Sequence, residues 1–198
     1  MNPLVKQSPD SPIAQPTLRT ARLLLRAFRI EDAATVNDLL VDKEIAANTE
    51  PIPFPYTIEM AQEWIKPQAK TWQEGRGAVF AICLPDQSEQ GTVIGVVGLE
   101  IDSSHERAEL GYWVGKERWG KGYCTEAAAA VVEFGFEQLG LNRVFAYHLV
   151  RNPASGRVMQ KLGMTQEGVL KQHAKKWGKF EDVSLFGILR PPTGVQKK

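Results

Sequence analysis

Between residues 18 and 190 the apolar positions switch between a spacing near two and a spacing near 3.6, and the switches divide the chain into strands and helices. Leu18 to Phe28 reads as a first strand. Ile30-Glu31-Asp32 opens a helix that runs to about Asp42, its first turn acidic as the helix dipole favours. A loop with Pro51, Pro53 and Pro55 leads to a second helix, capped by Thr57 with Glu59 and Met60 in its first turn. Pro67 falls inside that helix and predicts a kink or break. Ala78–Leu84 and Thr92–Ile101 are apolar, β-branched runs joined by 85–91, the signal of an antiparallel hairpin, and Arg107–Val114 is a third strand of that series. Cys124–Leu139 puts Ala127, Ala128, Val131 and Phe134 on one helical face and stops near Gly140. Arg143–Val150 is a strand and Pro153–Leu162 a helix with proline in its first turn and Gly163 as its stop. Met164–Leu170 and Asp182–Leu189 are the last strands. The order β-α-α-β-β-β-α-β-α-β-β predicts an α/β fold with a mixed sheet and helices on its faces. Residues 1–17, with four prolines, and 191–198 read as mobile arms, which leaves one domain at 18–190.

Composition narrows the classes of function. The 198 residues are 43% hydrophobic and 24% charged, the make-up of a soluble globular protein. Lys plus Arg number 24 against 23 acids, so net charge gives no reason to expect nucleic acid or a membrane as partner. Met1–Lys6 lacks the apolar stretch of a signal peptide and no run approaches ~18 apolar residues, so a cytoplasmic protein is expected. Cys83 and Cys124 form no CxxC pair, and with His105, His148 and His173 they show no metal-ligand spacing, so no metal is expected. No Gly-x-Ser-x-Gly supports a hydrolase.

The chemistry concentrates at residues 109–126. A strand runs into a loop holding Gly115, Gly120 and Gly122, and the loop feeds a helix. Residues 119–125 carry Lys121 and no carboxylate. Bare glycines and the free N–H groups of a helix start make a phosphate site, although a tight strand-to-helix turn needs glycines too. Gly115-x-x-x-x-Gly120-Lys121 approaches a P-loop, but Gly122 stands where a magnesium-binding Ser or Thr belongs. No acidic residue ends Val144–Val150 to serve a metal. Gly120-x-Gly122 is followed by Thr125 rather than the third glycine of a dinucleotide fingerprint. A pyrophosphate held without metal remains.

Six segments carry a family resemblance: Thr20–Arg26, Ala108–Trp113, Trp119–Glu126, Asn152–Ser155, Lys161–Met164 and Gly178–Val183. In this order they resemble the GCN5-related N-acetyltransferase (GNAT) superfamily, within it the branch of ribosomal-protein N-terminal acetyltransferases similar to RimJ and RimL. The resemblance implies a mostly antiparallel sheet splayed between two strands, acetyl-coenzyme A as donor and a primary amine as acceptor. It implies that Trp119, Gly120, Lys121, Gly122, Tyr123, Cys124 and Thr125 wrap the pyrophosphate. It implies that Trp113 and Val114 end the splayed strand, the Val114 N–H polarising the thioester carbonyl. Asn152 and Lys161 complete the coenzyme set.

For catalysis the resemblance points to Glu109 as base, directly or through water; an ion pair with Arg107 or another basic neighbour is the structural alternative. An α-amine, with a reference pKa of ~7.7–8.0 against ~10.4 for lysine, is the easier acceptor to deprotonate. Met159 stands where many superfamily members have an acidic tyrosine. Ser155 is then the candidate general acid or else a helix-capping partner, with Tyr123 and Tyr147 as alternatives. Cys124, at a helix start that favours thiolate, is open to a nucleophilic role or to simple spacing. Eight acids against Lys43 in residues 31–63 suit a cationic acceptor, and Lys171–Lys179 suits RNA or coenzyme phosphate, unless both are merely solvated surfaces. A ribosomal-protein N-terminus is the leading acceptor, small amines come next, and a non-catalytic acyl-coenzyme A-binding module is the rival class.

Overall fold

The computed structural model describes residues 14–192; the rest of both expected arms lies outside the described residues. The elements are β1 (Leu18–Arg19), β2 (Leu24–Arg26), α1 (Ala33–Leu40), α2 (Lys43–Asn48), α3 (Ile58–Ile65), α4 (Gln68–Gln73), β3 (Gly77–Leu84), β4 (Thr92–Asp102), β5 (Arg107–Val114), α5 (Tyr123–Glu137), β6 (Arg143–Leu149), α6 (Pro153–Lys161), β7 (Thr165–Lys176) and β8 (Lys179–Leu189). One eight-stranded sheet runs β1-β2-β3-β4-β5-β6-β8-β7. Every neighbouring pair is antiparallel except β5 and β6. The sheet is mixed and mostly antiparallel, as expected.

Period-two alternation sorts the core into two layers. Phe80, Ile82, Val97, Leu99, Ala108, Leu110, Val144 and Ala146 face α5 and α6, where Ala127, Val131, Phe134 and Met159 meet them. On the other face Ala33, Val36, Leu40, Ile45, Ala61 and Ile65 form a second cluster with Trp113 against it. Thr57 caps α3, its hydroxyl accepting from the Met60 N–H at 3.3 Å, and Pro67 separates α3 from α4.

Three departures from the sequence reading have local causes. The expected strand 18–28 is two short strands, because the Thr20 hydroxyl accepts from the Leu23 N–H at 3.0 Å and folds a turn between them. Helix α2 is new; six residues are too few for a periodic signal, and Asp42 starts it by accepting from the Glu44 N–H at 2.8 Å. Lys171–Lys179, left outside the two last strands expected, is largely strand. It belongs to the long β7–β8 hairpin, whose tip, Trp177-Gly178, has positive φ at both residues (48° and 83°), the two-residue turn that matches strand twist. β7 is an edge strand, and its run of polar residues, common on edges, conceals the alternation.

Candidate active site

The defining feature lies where β5 and β6 part. They pair in parallel only at Arg107–Glu109 and Arg143–Phe145, while each continues along its other neighbour, β5 to Val114 and β6 to Leu149. The Gly115 N–H donates to the Ile94 carbonyl at 2.9 Å, so in the antiparallel alternation Tyr112 and Val114 turn their backbone groups away from β4 and into the fork. The Val114 carbonyl is already taken there by the Trp119 indole N–H at 2.9 Å, which ties the loop to the strand end and leaves the Val114 N–H for a ligand.

A cleft of about 530 Å³ fills the fork. Glu109, Trp113, Val114, Trp119, Gly120, Gly122, Tyr123, Cys124, Thr125, Asn152, Ser155 and Lys161 all line it. Lys121 is the exception: it is outside the lining, and its carbonyl accepts from Arg22 Nη1 at 3.0 Å. Gly120 and Gly122 have φ of +72° and +80°, values that favour glycine. Gly122 precedes α5, and no side chain caps that helix start, so the N–H groups of its first turn open on the cleft. A helix start without a carboxylate cap and with glycine backbone beside it suits a diphosphate.

For Cys124 the burial favours the spacing reading over the nucleophilic one. Burial pushes its thiol up to about 12, outweighing the helix start, so it is a neutral thiol in the cleft wall and no ready nucleophile.

Asn152, not Ser155, caps α6, through its own Oδ1, which accepts from the Ser155 N–H at 3.4 Å. The Ser155 hydroxyl is thereby free to meet Tyr112, whose OH lies 3.0 Å from Ser155 Oγ and donates to the Ser155 carbonyl at 2.9 Å. Tyr112 crosses the fork from β5 to α6, and desolvation raises its pKa, so it stays protonated. Met159 is buried in the core beneath the cleft, so no phenol replaces it from that position.

On the opposite face Glu109 and Trp113 open on a second cleft of about 590 Å³, lined also by Tyr56, Glu63, Trp64 and Glu100. The two clefts share Glu100, Glu109, Tyr112 and Trp113. Glu100 is the cross-strand partner of Glu109, which sets a like charge directly opposite it. The Glu109 pKa is raised, first by desolvation and then by Glu100 and Glu50, while a hydrogen bond from Tyr147 works against the rise. Tyr147 itself is pushed up to about 12 by burial and by the same carboxylates. The ion pair expected as an alternative for Glu109 is absent among the described residues: Arg107 instead bonds Asp102, Nε at 3.1 Å.

The segment carrying Glu50 is pinned from the other half of the sheet. Buried Lys176 donates to the carbonyls of Thr49, Glu50 and Ile52 at 2.8, 3.1 and 2.5 Å. Arg151 holds the Ala47 carbonyl at 2.6 Å and Asn48 Oδ1 at 3.0 Å. Sequence reasoning passed over Tyr112, Glu100 and Lys176, and took Glu50 only as one of the acids of residues 31–63. The hairpin register of β4 and β5 contained a signal for Glu100 alone.

Among the described residues no group of three His, Cys, Asp or Glu side chains stands close enough to hold a metal ion, and no helix is long and apolar enough to cross a membrane.

Comparison with known proteins agrees with this geometry. The family model for the acetyltransferase (GNAT) domain matches residues 22–165. The N-acetyltransferase YoaA of Bacillus subtilis is 34% identical over 182 residues, 89% of this chain and 98% of its own. The [ribosomal protein uS5]-alanine N-acetyltransferase of Escherichia coli is 27% identical over 121 residues, 60% of this chain and 61% of its own. The solved structure of the microcin C7 self-immunity acetyltransferase MccE, in complex with acetyl-CoA and AMP, superposes with a TM-score of 0.77 at 21% identity, covering 86% of this chain and 93% of that one. A match that spans the fork, joined to a relative named an N-acetyltransferase along nearly its whole length, makes this chain a member of the GNAT family and an acetyl-CoA-dependent N-acetyltransferase.

Proposed function

We propose that the chain acetylates the N-terminal α-amine of a protein or peptide, taking acetyl from acetyl-CoA in the fork and the amine from the second cleft. The observation that carries this reading is the shared wall: the two clefts touch at Glu109, Tyr112 and Trp113. One side offers backbone amides and a helix start, suited to pantetheine and diphosphate. The other offers Glu63, Glu100 and Glu109, suited to an ammonium group. Similarity to an enzyme named for a ribosomal-protein alanine supports the acceptor class.

Each residue then has a task. Glu109, a stronger base for its raised pKa, takes the proton of the arriving ammonium. The Val114 N–H, turned into the fork, stabilises the oxyanion when the neutral amine attacks the thioester carbonyl. Ser155 passes a proton to the departing sulfur, and its bond with Tyr112 orients it. Transfer is direct, in keeping with the neutral Cys124.

A screen of thiol release from acetyl-CoA tests the reading, with free N-terminal peptides, the same peptides N-terminally blocked, and spermidine. Release with free peptides alone is expected. The acid limb of kcat/KM should lie above the ordinary glutamate value of ~4.3 and vanish in Glu109→Gln, because Glu109 works only when ionised. Equal release with blocked peptides overturns the α-amine assignment.

A further inference from the structure

The Thr20–Arg26 segment has no part in the chemistry above. Its second half is explained by folding: Arg26 forms a buried two-pronged ion pair with Asp32 at 2.7 and 2.8 Å and anchors the start of α1. Its first half is the turn between β1 and β2, and it grips the phosphate loop from behind. The Thr20 hydroxyl donates to Glu126 Oε1 at 2.6 Å and the Arg22 N–H to the same oxygen at 2.9 Å. Arg22 Nε donates to Glu126 Oε2 at 2.6 Å, Nη1 donates to the Lys121 carbonyl at 3.0 Å, and the guanidinium lies 4.8 Å from the centre of the Tyr123 ring.

The consequence follows from peptide planarity. In a trans peptide the C=O of one residue and the N–H of the next point in opposite directions. Arg22 and Lys121 are both outside the cleft lining, whereas Gly120, Gly122 and Tyr123 belong to it. A carbonyl held on the Arg22 side therefore aims the Gly122 N–H at the cleft. Unheld, the peptide turns about the Lys121 ψ and the Gly122 φ, the latter at +80° with no Cβ to restrict it.

We infer that Arg22 is a positioning residue for the coenzyme: its fork, braced on Glu126, fixes the Lys121–Gly122 peptide so that the N–H points at the diphosphate. The role is one of geometry, because the Arg22 charge is already matched by Glu126 at 2.6 Å. This inference rests on the reading that the cleft takes the diphosphate of acetyl-CoA. A lysine cannot replace the fork, having a single ammonium for both a carboxylate and a carbonyl.

Calorimetric titration with coenzyme A, which needs no acceptor, tests it on the parent, Arg22→Met and Arg22→Lys, alongside the thermal midpoint of each without ligand. The dissociation constant should rise roughly tenfold or more in both variants, with thermal midpoints close to the parent's. Arg22→Lys keeps the stem and the charge, so it carries the test if Arg22→Met fails to fold. An Arg22→Met constant within twofold of the parent overturns the inference, and so does full recovery in Arg22→Lys, which would make the residue a simple charge. If the parent itself does not bind coenzyme A, the reading of the cleft falls first and the inference with it.

Discussion

Tyr112 and Ser155 have two hydroxyl protons between them and four acceptors to direct them to: the Ser155 carbonyl, each other's oxygen and the departing sulfur. While Tyr112 donates to the Ser155 carbonyl at 2.9 Å, the serine proton satisfies the phenol oxygen at 3.0 Å. When Tyr112 turns to Ser155 Oγ instead, the serine proton is free for the sulfur of the leaving thiol. Ser155→Ala removes the donor and should lower kcat by roughly 10²–10⁴-fold with little change in the KM for acetyl-CoA, since the loss falls on the transition state. Tyr112→Phe removes the orienting hydroxyl, with its bonds to the Ser155 carbonyl and Oγ, but leaves the donor, and a drop of roughly tenfold is expected. Because Asn152 holds the cap, Ser155→Ala should barely move the unfolding midpoint, so steady-state kinetics beside a melt separate the roles. A kcat within threefold of the parent removes Ser155 from the mechanism. The sequence marked Ser155 but not its partner: the two lie 43 residues apart and meet only because β5 alternates Glu109 to one face and Tyr112 to the other.

Elements with strong periodicity were legible: β3 to β6, α5 and α6 fall within one or two residues of expectation, and the glycine loop before α5 stands at the head of the cleft. What escaped was short or polar. Six-residue α2 carries no period, and the edge strand β7, expected only as far as Leu170, continues through a hydrophilic stretch and pairs along β8 as far as Lys176↔Lys179. Lys176 was therefore filed with surface charge, when its burial against three carbonyls steadies the segment over the second cleft. The loop–helix unit makes its own prediction. Gly122→Asp sets a Cβ 3.4 Å from Arg22 Nη2, where its carboxylate competes for the fork that holds the Lys121 carbonyl and adds negative charge beside the phosphate loop, so coenzyme A binding measured by calorimetry should weaken more than tenfold. The positive φ at Gly122 adds a backbone penalty of about 1 kcal/mol, which a protein stable by ~5–15 kcal/mol survives. Unchanged affinity in the folded variant would mean that the diphosphate sits elsewhere.

Across the whole molecule, the fold holds two half-sheets apart at one point and clips them together around it. The β5–β6 pairing closes the fork at its base, Tyr112–Ser155 bridges it on the α6 side, and Lys176 and Arg151 bridge it on the acceptor side. Charge follows the same division. Of the acids concentrated between residues 31 and 63, Asp42 and Glu44 are matched by Lys116 at 3.2 and 3.1 Å and Asp32 by Arg26, whereas Glu50 is carried to the junction beside Glu109. The junction thus presents carboxylates to the acceptor and amides to the donor. The measurement that tests this account most directly is fragment mass spectrometry of a peptide bearing both a free α-amine and an internal lysine, after incubation with the enzyme and acetyl-CoA at neutral pH. The account predicts acetyl on the α-nitrogen alone, lost in Glu109→Gln; acetyl on the lysine, or none on either amine, would contradict it.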